Sequence, residues 1–149
     1  MWKLQPNERL ARWRDFRKHL NSLSTDQAIA ETQQFWQSCP FIPYYLEPDR
    51  PETWPGPWQL LEENYYCDLA KVLGIVYTLY LSDHKAHIEF EIRTYYDLRA
   101  RCYYNLAWLS SGKYVINLVD DEIVNNTSID KSLILLYSYN SSKLNLEKY

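Results

Sequence analysis

Glycine is scarce. Gly56, Gly74 and Gly112 are the only three in 149 residues, and they stand too far apart to form a glycine-rich loop. Both the P-loop and the dinucleotide-binding turn need several glycines close together so that backbone can approach phosphate. Nucleotide-dependent chemistry is therefore not indicated, and no cofactor is expected. Cysteine is equally sparse: Cys39, Cys67 and Cys102 are odd in number, and no two form a Cys-x-x-Cys pair. Neither a disulfide framework nor a cysteine zinc site follows, and free thiols in a reducing compartment fit better. Long apolar runs are also missing. The longest, Leu69 to Leu81, is interrupted by Lys71 and spans 13 positions, whereas a bilayer takes about 20. It reads as a buried helix. The amino terminus lacks the basic-then-apolar arrangement of a secretory signal, so a cytoplasmic location is expected.

Aromatics, by contrast, are abundant, with 14 Tyr, 6 Trp and 4 Phe. Apolar residues at 46% and charged residues at 23% are the balance of a folded chain, and the length suits a single domain over 1–149. Within it, residues 1–38 read as a helical hairpin. Leu10, Trp13, Phe16, Leu20 and Leu23 recur at helical spacing, and Ser24 with Gln27 forms a capping box that opens a second helix through about Gln37. Residues 39–57 hold six of the seven prolines. Proline removes an amide donor and restricts its neighbour, so this segment is an extended strap, ordered because its aromatics and Leu46 are costly to leave in water. Residues 58–149 then supply a short helical turn at Trp58 to Glu63, a central helix from Tyr66 to Leu81, and an antiparallel sheet.

The sheet announces itself by a change of period. From His87 to Arg93, Ile88, Phe90 and Ile92 alternate with Glu89, Glu91 and Arg93, the pattern of a half-buried strand. Arg101 to Leu109 and Lys113 to Leu118 read as two further strands joined by a turn at Ser110-Ser111-Gly112. Leu133 to Tyr139 is a fourth strand or, with Asp130 as cap, a short helix. Helices first and strands second indicate an α+β fold with a three- or four-stranded antiparallel meander.

Charge is unevenly spread: residues 1–24 carry six basic and two acidic side chains, and the rest of the chain is net −7. Such asymmetry steers an acidic partner towards the first helix, although a pI near 5.6 argues against a dedicated nucleic-acid binder. Aromatic and arginine side chains are the residues of interface cores. Tyr44, Tyr45, Trp54 and Trp58 in and beside the strap, with Arg9 and Arg12 on the first helix, are the expected partner-binding set, for a protein partner or a second copy of the chain. His84 and His87, beside Asp83, are at most a weak surface metal site, and no metal is expected.

Cys67 is the most suggestive single residue, because it stands near the start of a predicted helix, where unpaired amides and the helix dipole stabilise a thiolate. The run Cys67-Asp68-Leu69-Ala70, followed by strands reading Tyr104-Asn105-Leu106-Ala107-Trp108 and Gly112-Lys113-Tyr114-Val115-Ile116-Asn117, resembles the layout of the transglutaminase and papain-like fold. That resemblance implies a cysteine hydrolase or acyltransferase using Cys67. Its histidine and aspartate positions fall on Asn105 and Asn117, neither of which takes a proton at neutral pH, and His87 is the one replacement base within reach.

The segments Phe35-Trp36-Gln37-Ser38-Cys39-Pro40-Phe41 and Pro57 to Gly74 resemble small proteins of tailed bacteriophages without assigned activity. That likeness implies a virion or assembly component, located in the virion or the host cytoplasm. Together with the aromatic and arginine set, it makes a non-enzymatic phage assembly protein the leading expectation, with the cysteine enzyme as the alternative and a nucleic-acid accessory protein third.

Overall fold

The computed structural model describes residues 1–149. Four helices come first and five strands follow, an α+β arrangement. α1 (Pro6–Leu20) begins with a proline at its first position and a capping box between Gln5 and Glu8. α2 (Thr25–Gln37) opens on Ser24, whose side chain accepts from Gln27 N at 3.2 Å while its own amide donates back to the Gln27 side chain. Leu23, read as helical, lies in the turn between them.

The strap after α2 is ordered through its carbonyl groups. Prolines leave C=O as the main backbone polar group, and buried space around them needs donors. Trp54 Nε1 donates to Glu47 O, Tyr77 Oη to Pro55 O and Tyr139 Oη to Pro48 O, all between 2.8 and 2.9 Å. Leu46 is buried, and Ile42 N donates to Tyr66 O beside a parallel bridge between Phe41 and Tyr66.

α3 (Pro57–Glu63) stops at Asn64, which takes the left-handed conformation at φ 59° and ψ 37°. α4 (Asp68–Tyr80) follows and is the centre of the molecule, buried over nearly its whole length. Gly74 permits this: a Cβ there would sit 2.4 Å from the Trp36 ring, so only glycine lets α2 approach so closely. One turn on, Thr78 Oγ1 accepts from both Trp13 Nε1 and Trp36 Nε1 at 2.9 Å and donates to Gly74 O at 2.6 Å. Its full hydrogen-bonding capacity is thereby used, and two indoles from two helices are satisfied in the core.

The strands are β1 (Phe90–Asp97), β2 (Cys102–Leu109), β3 (Tyr114–Val119), β4 (Glu122–Val124) and β5 (Leu133–Asn140), in the spatial order β4-β3-β2-β1-β5. All neighbours run antiparallel. The sheet is thus a four-stranded meander plus a fifth strand that returns to the far side of β1. Leu133 to Tyr139 is a strand and not a helix, and β4 is a strand that Asp120-Asp121-Glu122 did not announce: Asp121, at φ 63°, makes the turn into it. The sheet begins later than alternation suggested, because Asp83–His87 form a 3-10 turn and only from Phe90 is the chain paired.

Phe90, Ile92, Ala107, Leu109 and Ile116 face the helices in one large core. The opposite face carries a smaller cluster of Tyr95, Leu106, Trp108 and Val115, with the Arg93 guanidinium 3.9 Å above the Trp108 ring. Trp13, Trp36 and Trp108 are all buried.

Thr78→Val is isosteric but strands two buried indole N–H groups. Each such loss costs about 1–3 kcal/mol, so a destabilisation of about 2–6 kcal/mol is expected in urea unfolding. An unchanged midpoint would show that the two indoles have other acceptors.

Candidate functional site

α4 begins at Cys67, its N-cap residue, in extended conformation at φ −82° and ψ 177°. Cys67 O already accepts from Lys71 N at 2.9 Å, while the first amides of the helix have no intrahelical acceptor. The thiol is buried but lies on the wall of a cavity of about 470 Å³ between the strap, the start of α4 and the inner face of the sheet. Tyr44, Leu46 and Asp49 come from the strap, Asp68 and Leu69 from α4, and Tyr103, Asn105 and Tyr137 from β2 and β5.

Register explains the sheet's contribution. Asn105 on β2, Thr94 on β1 and Tyr137 on β5 form one row across three strands. Thr94, fully buried, donates from its hydroxyl to Asn105 Oδ1 at 2.8 Å, which leaves Asn105 Nδ2 as that side chain's remaining polar group. Asn117 Nδ2 donates to the backbone O of Asn105 at 2.9 Å, so the second asparagine holds the strand that carries the first. Cys67 and Asn105 thus line one cavity, while Asn117 stands outside it, beside Gln33, Gln37 and Lys71.

His87 is not among them. It sits exposed in the 3-10 turn after the carboxyl end of α4, and a helix of 13 residues is about 20 Å long. His87 therefore stands at the wrong end of α4 to serve Cys67. His84 has no metal to hold either: its two ring nitrogens face Leu20 O at 2.7 Å and Thr25 Oγ1 at 3.1 Å, bolting α1 and α2 to the end of α4. No group of three or more His, Cys, Asp or Glu side chains converges anywhere in the chain.

The partner-binding set divides. Arg9 is 4% exposed, and its guanidinium donates to Leu61 O, Leu4 O and Glu62 O, so it closes the end of α3 and is not available to a partner. Trp54 is committed to Glu47 O and packs edge-on against Tyr139. Tyr45 is tied to Glu63. Arg12 is exposed, and Tyr44 at 68% and Trp58 at 48% exposure keep open faces. Of the six, only Tyr44 belongs to the cavity of Cys67. The aromatics that the sequence reading missed, Tyr103 and Tyr137, share a face with Asn105 by strand alternation, but only cross-strand register places them beside it.

The sequence matches no protein-family model and no curated protein. The fold is shared with solved structures of LapG from Legionella pneumophila. At 12% identity the likeness has a TM-score of 0.72 over 91% of this chain and 75% of LapG. The EGTA-treated form gives 0.72, and the calcium-bound form gives 0.70 over 93% of this chain and 78% of that one. This overturns the expectation of a non-enzymatic assembly protein binding through aromatic and arginine side chains, because the fold is one shared with LapG. The commitment of Arg9, Trp54 and Tyr45 to internal contacts also takes half of the six expected partner-binding residues out of the surface.

Arg9→Met leaves three carbonyl groups without their donor, so it is expected to destabilise the fold by about 2–4 kcal/mol. Arg12→Ala, on the exposed face, should change stability by no more than about 0.5 kcal/mol. Equal effects in urea unfolding would contradict the assignment of Arg9 to the fold.

Proposed function

We propose that the chain is a cysteine hydrolase or acyltransferase of transglutaminase-like layout with Cys67 as the nucleophile. One observation carries the reading: Cys67 caps the amide end of a buried helix and opens onto a cavity that it shares with Asn105. The fold likeness to LapG supports it.

Cys67 Sγ attacks the acyl carbon as a thiolate, which the helix dipole favours. The carbonyl oxygen becomes an oxyanion, and the donors that suit it are the free amides of α4 and Asn105 Nδ2, the group Thr94 leaves unused. The C–N or C–O bond of the substrate breaks, giving an acyl-thioester. Water or an amine then attacks the thioester carbon, giving its proton to a wall carboxylate, and the C–S bond breaks so that the proton returns to Cys67 as it is released. With asparagine where the layout has histidine, the thiol proton passes to a carboxylate on the cavity wall, Asp49 or Asp68, and from there to the leaving group. This base is weaker than imidazole, so turnover is slow and favours acyl groups with good leaving groups.

One LapG structure is calcium-bound. The acidic residues here do not gather as such an ion requires, so no step passes through a metal.

Alkylation by iodoacetamide at neutral pH tests the reading. Cys67 is expected to react at least about tenfold faster than Cys39, whose thiol burial pushes up to about 11 and so keeps protonated. Because that value is raised from 9.0, the resistance of Cys39 should persist at neutral pH and fade as pH climbs towards 11. Asn105→His places an imidazole in the cavity and should speed Cys67 alkylation by at least about tenfold, with a new inflection near pH 6.5. EGTA should change neither rate. Equal reaction at Cys39, Cys67 and Cys102 would overturn the assignment.

A further inference from the structure

The cavity of Cys67 is one-sided in charge. Asp49 from the strap and Asp68 from the first turn of α4 stand on its wall, and no lysine, arginine or histidine does. Neither carboxylate has an ion-pair partner within the chain. The cations nearest to them in sequence are engaged elsewhere. Arg50 lies 3.7 Å from both Glu47 and Glu52, and Lys71 lines a separate cavity with Gln33 and Asn117. Asp49 and Asp68 are exposed, and an exposed carboxylate without a partner is ordinary surface, screened by water. The rest of the lining sets this pair apart. Tyr44, Tyr103 and Tyr137 line the same space, and none of their rings has a cation over it. The rings of Trp13, Trp58, Tyr80, Trp108, Tyr114 and Tyr149, all outside this cavity, each have one.

We propose that the acyl substrate carries a guanidinium group, an arginine side chain close to the bond that Cys67 attacks. The inference rests on Cys67 as the nucleophile and adds the class of substrate to it. A guanidinium pairs with a carboxylate through two parallel hydrogen bonds and stacks its plane on aromatic faces. Acids and tyrosines on one wall therefore suit it better than an ammonium, a compact charge that keeps its hydration. Asp49, Asp68 and Cys67 do not gather as a metal ion requires, so the cation that fits is organic and extended. A volume of about 470 Å³ is ample for one such side chain. The charge also has a chemical use. Where a cysteine is paired with histidine, the thiolate faces an imidazolium. Here Asn105 is neutral, and a thiolate beside Asp49 and Asp68 has no counter-ion in the chain. A bound guanidinium supplies it: one carboxylate takes the thiol proton, and the other holds the cation.

Binding to Cys67→Ala, measured by calorimetric titration, tests the recognition apart from the chemistry. Nα-acetyl-arginine amide is expected to bind at least about tenfold more tightly than the citrulline amide, which has nearly the same shape and no charge, with the lysine amide between them. Raising the salt concentration should shrink that ratio. Adding Asp49→Asn and Asp68→Asn should reduce it to about threefold or less while the urea midpoint stays in place, because both side chains are exposed. In the wild type, the ethyl ester of Nα-acetyl-arginine should exceed the citrulline ester by at least about tenfold in kcat/KM. Equal binding of the arginine and citrulline amides, tighter binding of the lysine amide, a ratio unmoved by the two asparagines, or equal hydrolysis of the two esters would each overturn the inference and leave Cys67 as the nucleophile. Arginine selectivity in Cys67→Ala, joined to equal alkylation of all three cysteines in the wild type, would support the guanidinium site and overturn the chemistry assigned to Cys67.

Discussion

The Thr78 hydroxyl is the constraint on which the rest of the molecule hangs. Two tryptophans, from α1 and α2, bring large apolar surfaces to the core, and each brings an N–H that must be satisfied there. A single hydroxyl on α4 accepts both, one turn beyond the glycine that lets the Trp36 ring press against the helix backbone. α1 and α2 are thereby set against α4 in one arrangement. A threonine inside a helix is neutral at best by propensity, and its place here is explained by those two donors.

Once α4 is held, its amino end is held too, and the site follows from that. The residue before α4 is a cysteine, the strap crosses in front of it, and the sheet packs along α4 with Asn105 on the row that meets the helix entrance. Each contribution is ordered by contacts outside the cavity. Strap carbonyls of Glu47, Pro55 and Pro48 are satisfied by Trp54, Tyr77 and Tyr139; Asn105 is oriented by Thr94; its strand is tied by Asn117. The groups facing the cavity are a thiol, an amide, two carboxylates and three tyrosines.

The same economy of charge shapes the surface. Arg9 is spent inside, on two carbonyl groups at the end of α3 and on Leu4 O before α1, and Arg17 lies over the Trp13 ring at 4.3 Å, where burial and the nearby Arg14 lower its pKa. The basic first helix therefore presents less free charge than its composition implies. β5 is the opposite case, an edge with no charge at all.

Local chemistry alone determined a good part of this protein. Ser24 with Gln27 marked the entrance to α2, six prolines marked the strap, and the alternation around Phe90 and Ile92 marked a half-buried strand, because caps, proline and period two act over a few residues. The placing of Cys67 and Asn105 on one cavity was legible for a related reason, since helix entrance and following strand occur in a fixed order along the chain, whereas Asn117 lies outside that cavity. Arg9 looked like a surface residue because helical periodicity does not reveal carbonyls more than 50 residues away. His87 looked near Cys67 because sequence distance does not show that α4 runs between them. β5, beside β1 at the far edge, and the tyrosines it shares with β2 around the cavity were decided only by tertiary structure, since strand order and register depend on contacts between segments distant in the chain.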